Sequence, residues 1–158
     1  MHRVNFIHPP GFKDRTQHKK IEKAALPKKV IIPLAQHTGV ASEPVVNIVD
    51  TVKRGSLIAC SKGFISSNIH SSISGKVTAI EECPHPVIGA FKAIVVESDG
   101  EDRGAFSGVP RDVSNLSREE IINIVKEAGM VGLGGAAFPT HVKLMPPSEK
   151  KINTLIIN

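Results

Sequence analysis

The sequence predicts an α+β fold, with a β-rich unit over residues 29–105 followed by the opening of an α/β unit over 117–158. Three observations carry this. Between Lys29 and Gly100 the chain reads as short runs, VIIPLA, PVVNIV, SLIAC, GFIS, KVTAI and AIVVES, rich in β-branched residues and parted by Gly, Pro, Asp or Ser. Helical periodicity begins only after Asn115. A glycine-rich stretch, AGMVGLGGAAFPTHVKL, then follows the helix directly.

Residues 1–28 form the first element, a polar, basic arm broken by Pro9, Pro10, Gly11 and Pro27. Proline withholds a backbone donor and stops helix growth, so an extended segment is expected. Lys13, Arg15, Lys19, Lys20, Lys23, Lys28 and Lys29 concentrate charge there, within a chain of net charge +5. A solvated arm accounts for such a run, and a contact with an acidic partner or an anionic ligand is the alternative.

The β unit spans 29–105, at the spacing of a small sandwich, and the Gly/Pro/Ser/Asp-rich EDRGAFSGVPRDVSN leads into and forms most of a linker over 106–116. Beyond it, Ser117 stands three residues before Glu120, the spacing of a capping box. Ile121, Ile124, Val125 and Ala128 share one helical face, and Gly129 ends the helix. The final KINTLIIN is a short apolar run that in an α/β context predicts a buried parallel strand. Such a strand needs neighbours on both sides, so the expectation is a piece of a larger domain.

Composition bounds the function. With 158 residues and 41 % hydrophobic content, the chain can bury a core for one domain and part of another. It has no Trp, no Tyr and only 6 Phe, which excludes the aromatic platforms that hold single-stranded nucleic acid. Cys60 and Cys83 have no metal-ligand spacing and are too few for an iron–sulfur cluster, so two ordinary thiols in a reducing cytoplasm are expected. No run of about 18 apolar residues exists, and MHRVNFIHPPGFKD lacks an apolar leader core. The expectation is a cytoplasmic chain whose membrane link, if it has one, comes through partner subunits on the inner face.

Chemistry is concentrated in the glycine-rich stretch. Gly132, Gly134 and Gly135 let the backbone approach a ligand so that successive amides converge on a phosphate, and Lys143 can supply the balancing cation. Taken alone, Gly-x-Gly-Gly reads equally as a structural turn. It is neither a Rossmann fingerprint, because no clear strand feeds it and Phe-Pro follows, nor a P-loop, because no Gly-Lys-Ser/Thr follows. His8, His37, His70 and His85 sit in words containing Pro, Gly or Ser and have no ligand spacing, so turn hydrogen bonding is expected of them. No residue stands out as catalytic acid, base or nucleophile, and no metal-ligand set is evident.

Two resemblances follow. VNIVDTVKRGSLIA with IHSSISGKVTAI resembles the biotinyl/lipoyl carrier pattern, in which Asp50 and Gly55 shape one tight loop and Ser74-Gly75 opens the next hairpin. A working carrier needs a lysine at the intervening tip. Lys62 is near it without the flanking Met-Lys-Met or Asp-Lys-Ala, so the unit is expected to be a structural relative. Read in order, HPP, IPLAQHTG, DTVKRG, SSISGKV, VESDGE, VGLGGAAFPTHVKL and KINTLIIN resemble the N-terminal region of the RnfC family over nearly the whole chain, from about Ile7 to Asn158.

That resemblance implies a barrel-sandwich hybrid domain of lipoyl/biotinyl type, then the start of an FMN/NADH-binding domain similar to the NADH-oxidising subunit of complex I. It implies FMN at Gly132, Gly134, Gly135 and Lys143. It further implies NAD(H) as electron partner and 4Fe-4S clusters only in a C-terminal region that this chain lacks. Partners would be the other subunits of a membrane-bound ferredoxin:NAD+ oxidoreductase. The complex I loop carries two arginines where Val131 and Leu133 stand here, which favours the Rnf branch. Where the family commonly shows Gly-Ala-Gly-Phe this chain has Ala136-Ala137-Phe138, placing an extra methyl against a flavin. The chain by itself is expected to lack NADH oxidation. Two alternatives are an RnfC-like soluble electron-transfer protein serving an amino-acid or cobalamin reductase, and a non-enzymatic lipoyl-like docking module.

Overall fold

The computed structural model describes residues 10–106, 112–133, 135–147, 149–154 and 156, so His8 and part of the linker lie outside the described residues. Two antiparallel sheets face each other. The first has the order β1-β7-β6-β3, from Lys29–Pro33, Gly89–Ser98, Gly75–His85 and Thr51–Val52. The second has the order β2-β4-β5, from Glu43–Pro44, Leu57–Cys60 and Ile69–His70. Ile32, Leu34, Val52, Ile58, Ala59, Ile69, Ile73, Val77, Ile94 and Val96 form the core between them.

The long hairpin β6-β7 organises the first sheet. Its register runs from Gly75 opposite Ser98 to His85 opposite Gly89, with a bulge between Val77 and Ala79. Alternation along β7 sends Ile94 and Val96 into the main core, while Ala93 and Val95 pack with Cys83 on the opposite face. Gly75 opens β6 between β3, where it faces Val52, and β7. A Cβ at Gly75 would stand 1.8 Å from the Glu97 carbonyl oxygen, so the Ser-Gly pair of the carrier-like motif is a demand of strand packing.

Two of the β-type runs do not form the strands expected of them. In PVVNIV only Pro44 lies in a strand, and pairing ends with the Val45 amide donating to the Ile58 carbonyl at 2.9 Å, because the Asp50 carboxylate captures the Asn47 amide at 2.7 Å and bends the chain into a turn. GFIS is loop: Ser66 Oγ accepts from the Lys62 amide at 3.0 Å and donates to the Val40 carbonyl at 2.8 Å, replacing ladder bonds with side-chain bonds.

Pro10 to Lys29 is exposed throughout, with a turn in which the Thr16 and Gln17 amides donate to the Lys13 carbonyl. At the other end of the β unit, Ser74 Oγ donates to Asp99 at 2.7 Å and accepts the Arg103 amide at 2.8 Å. The Glu101 amide, the Ser74 hydroxyl and the Arg103 guanidinium hold the Asp99 carboxyl down to about 2. This cluster fixes the exit of the chain from the sheet.

Helix α1, Arg118–Glu127, has the capping box read from the sequence. The Glu120 amide donates to Ser117 Oγ at 3.2 Å and the Ser117 amide to the Glu120 carboxylate at 2.7 Å. That bond from the Ser117 amide holds the Glu120 carboxyl below the usual range. Gly129 follows the helix with φ +66°, and a Cβ there would lie 2.3 Å from the Asn68 carbonyl oxygen. The glycine therefore both ends α1 and lets it meet the β unit. The apolar face is only partly covered: Ile124 and Val125 are half-buried, no residue of α1 is fully buried, and Ile121 is 42 % exposed. The parallel strand expected over KINTLIIN is likewise absent among the described residues. Lys151–Thr154 and Ile156 have no strand structure and no described segment pairs with them, so no ladder holds them extended.

Candidate functional site

The glycine turn is closed at its stem. Val131 bridges Pro139, the Gly132 amide donates to the Phe138 carbonyl at 3.0 Å, and the Thr140 amide donates to Met130 at 2.9 Å. Phe-Pro then leads into one turn of helix, α2, Thr140–Lys143, with Pro139 buried at its N-cap. This returns the chain so that Lys143 faces the start of the turn. A Cβ on Gly132 would lie 2.8 Å from Lys143 Nζ, so the ammonium rests against backbone that only glycine leaves uncovered.

Of the residues singled out from sequence, Gly132 and Lys143 are thus adjacent, and Gly135 is exposed at the tip with open space around it. Gly134 lies outside the described residues. The amides of Gly135, Ala136 and Ala137 donate to no group among the described residues. Successive amides that make no bond among the described residues, in a turn whose stem carries a lysine ammonium against Gly132, are groups that an anionic oxygen ligand can neutralise and bridge. The residues present therefore fit the phosphoryl end of a flavin nucleotide.

Ala137 occupies the left-handed region at φ +47°, where an L side chain is strained and glycine is not. We predict that Ala137→Gly stabilises the turn by about 1 kcal/mol, seen as slower amide exchange across residues 130–140. Unchanged exchange would mean that the residue escapes the strained conformation.

Two grooves flank the turn. One, of about 620 Å³, lies between Gly135–Ala137, the loop Ala35–Ala41 and the β6-β7 tip at His85, Val87 and Ile88. The other, of about 370 Å³, runs between Val131, Leu133 and Ala137 on one side and His37, Asn68 and His70 on the other. Leu133, lining the second groove, is 98 % exposed.

His37 and His85 make the turn bonds expected of them. His37 Nε2 accepts the Ser67 amide at 3.1 Å, which leaves Nδ1–H to donate to the Thr38 carbonyl at 3.1 Å. His85 Nδ1 accepts the Val87 amide at 3.1 Å and Nε2–H donates to the Ala35 carbonyl at 2.8 Å. Burial lowers the pKa of His70, partly opposed by Glu127. Lys62 lies in the β4-β5 loop with its ammonium 2.9 Å from Glu43, whose hydrogen bond raises its pKa.

His141 is a residue that sequence reasoning passed over. It is 3 % exposed, lies near the Phe64 carbonyl, which favours its charged form, and leaves Nδ1 without a partner among the described residues. Burial lowers its pKa, and Lys126 adds to the effect. Thr38 was passed over as well, although its hydroxyl and its amide both donate to the Ala136 carbonyl. Both residues stand inside words that carry the family resemblance, FPTHVKL and IPLAQHTG. The pairing is visible only once the β unit and the turn are folded together.

Comparison with known proteins gives two matches along the chain. Residues 4–101 match the RnfC barrel sandwich hybrid domain, and residues 125–158 match the Nuo51 FMN-binding domain. The class is therefore a barrel-sandwich hybrid joined to the opening of an FMN-binding domain. The chain belongs to the RnfC family.

It is 49 % identical over 154 residues to a subunit of the proton-translocating ferredoxin:NAD(+) oxidoreductase complex of Clostridium ljungdahlii, covering 96 % of this chain and 34 % of that one. It is 40 % identical over 153 residues to the corresponding subunit of the Na(+)-translocating complex of Acetobacterium woodii, covering 96 % and 34 %. It is 40 % identical over 155 residues to that of the ion-translocating oxidoreductase complex of Rhodobacter capsulatus, covering 96 % and 30 %. The chain thus spans about a third of the length of these relatives. Among the described residues no helix is long and apolar enough to cross a membrane.

Proposed function

We propose that this chain is part of a subunit passing electrons between NAD(H), FMN and iron–sulfur centres in an ion-pumping ferredoxin:NAD+ oxidoreductase. Its own residues would hold the phosphoryl end of FMN. The observation that carries the reading is Lys143 Nζ against the bare backbone of Gly132, in a turn where the amides of Gly135–Ala137 make no bond among the described residues, within a segment matching an FMN-binding domain. Bound FMN supplies the exchange between two-electron hydride chemistry and single-electron transfer. The protein's part is to bind the phosphate by amides and a cation, and to hold the ring beside the grooves lined by Ala137.

NADH oxidation and the 4Fe-4S centres belong, on this reading, to the two-thirds of the relatives that the chain does not span. The other subunits of the complex are its partners and supply its membrane link. The test is flavin content. The full-length subunit is expected to bind FMN one to one, seen as quenching of flavin fluorescence on titration. A colourless full-length subunit that leaves added FMN fluorescent would end the proposal.

A further inference from the structure

We infer that two loops of the β unit, residues 36–41 and 61–68, form a seat that sets the direction of the glycine turn, with Thr38 as its positioning residue. The inference rests on the FMN reading only for its functional meaning; the geometry stands apart from it. The Ala136 carbonyl accepts the Thr38 amide at 3.2 Å and Thr38 Oγ1 at 2.5 Å, across 98 positions of sequence. In a trans peptide the carbonyl and the following N–H point in opposite directions. Pinning the Ala136 oxygen toward Thr38 therefore aims the Ala137 N–H away from the β unit, toward the side where a ligand oxygen can meet it.

The seat grips the flanks of the turn as well. On the helix side, Gly129 lies against the Asn68 backbone, and Asn68 Nδ2 donates to the Glu127 carbonyl at 3.4 Å. On the far side, His141 is buried near the Phe64 carbonyl. The two loops are joined to each other before they hold anything. The Val40 amide donates to the Ile65 carbonyl at 2.9 Å, Ser66 Oγ to the Val40 carbonyl at 2.8 Å, and Ser42 Oγ to the Ser67 carbonyl at 2.6 Å. A support stitched in this way keeps its own geometry, so the turn takes its direction from the β unit.

The β4-β5 connection is also the place where a carrier domain would attach its arm. Here its Phe64 carbonyl lies near buried His141 of α2, and its exposed lysine is paired with Glu43. The lipoyl-like architecture thus serves as a mount for a cofactor loop.

Thr38 is exposed, so Thr38→Val removes the hydroxyl with little consequence for folding, and Thr38→Ser keeps it. Amide exchange of the 158-residue chain without FMN is the primary readout. In Thr38→Val the peptide covering residues 129–140 is expected to exchange about fivefold faster, since one hydrogen bond is worth about 1 kcal/mol. The melting temperature should hold, and Thr38→Ser should restore slow exchange. Equal exchange in parent, Val and Ser forms overturns the inference. FMN titration of the full-length subunit is the second readout, with Thr38→Val expected to weaken binding by a similar factor. A parent subunit that takes no FMN, with the exchange contrast intact, leaves the seat standing and removes the flavin assignment.

Discussion

Gly75→Ala is expected to cost about 3 kcal/mol of folding stability, near the upper end for a single added methyl group. The new Cβ would meet the Glu97 carbonyl oxygen at 1.8 Å and the Ser98 Cα at 3.0 Å, and both belong to β7. Neither side can give way cheaply. Gly75 is held on its other edge by β3 through Val52, while Glu97 is paired in turn with Lys29 of β1. Relief requires parting strands in the middle of a four-stranded sheet. Urea denaturation followed by circular dichroism should show an earlier midpoint at unchanged slope. A loss below about 1 kcal/mol would contradict so close an approach of the strands.

The second large effect is expected in ligand binding. Lys143→Ala in the full-length subunit should weaken FMN tenfold to a hundredfold, the range of a hydrogen bond to a charged group, about 1.5–3 kcal/mol. Folding should be unaffected, since Lys143 is exposed. Gly132→Ala approaches the same contact from the other side. Its methyl would come within 2.8 Å of Nζ, the far end of a flexible chain, so the ammonium swings away while the fold persists. Weaker FMN binding at an unchanged melting temperature is the expected signature. If both variants bind FMN as the parent does, the phosphate is not held at this contact, whatever the rest of the turn does.

Some of this was legible in the sequence because it depends on neighbours along the chain. Ser117 and Glu120 are three apart, and their reciprocal bonds follow from helix geometry alone. The strands at Lys29–Pro33, Leu57–Cys60, Gly75–His85 and Gly89–Ser98 each overlap a β-branched run. Gly132 and Lys143 could be singled out because the chemistry of a phosphate cradle constrains residue type. PVVNIV misled because a carboxylate three residues along, in Asp50, outcompetes the strand for the Asn47 amide, and β propensity carries no record of that. How far the apolar face of α1 is covered was not legible, for a different reason. Periodicity shows which side of α1 is apolar but not whether a partner covers it. Thr38 and His141 were out of reach because each acts on a residue far away in sequence, Ala136 and Phe64.

The span between Thr38 and Ala136 also sets an order of assembly. At roughly 5–20 residues per second, synthesis exposes loops 36–41 and 61–68 several seconds before the glycine turn exists. Sheet pairing with long sequence separation is itself slow, on the scale of milliseconds to seconds. The sandwich is thus complete, or has failed, before there is a turn to receive. A lesion deep in the sheet would therefore show itself in the turn, with every residue of the turn still encoded correctly.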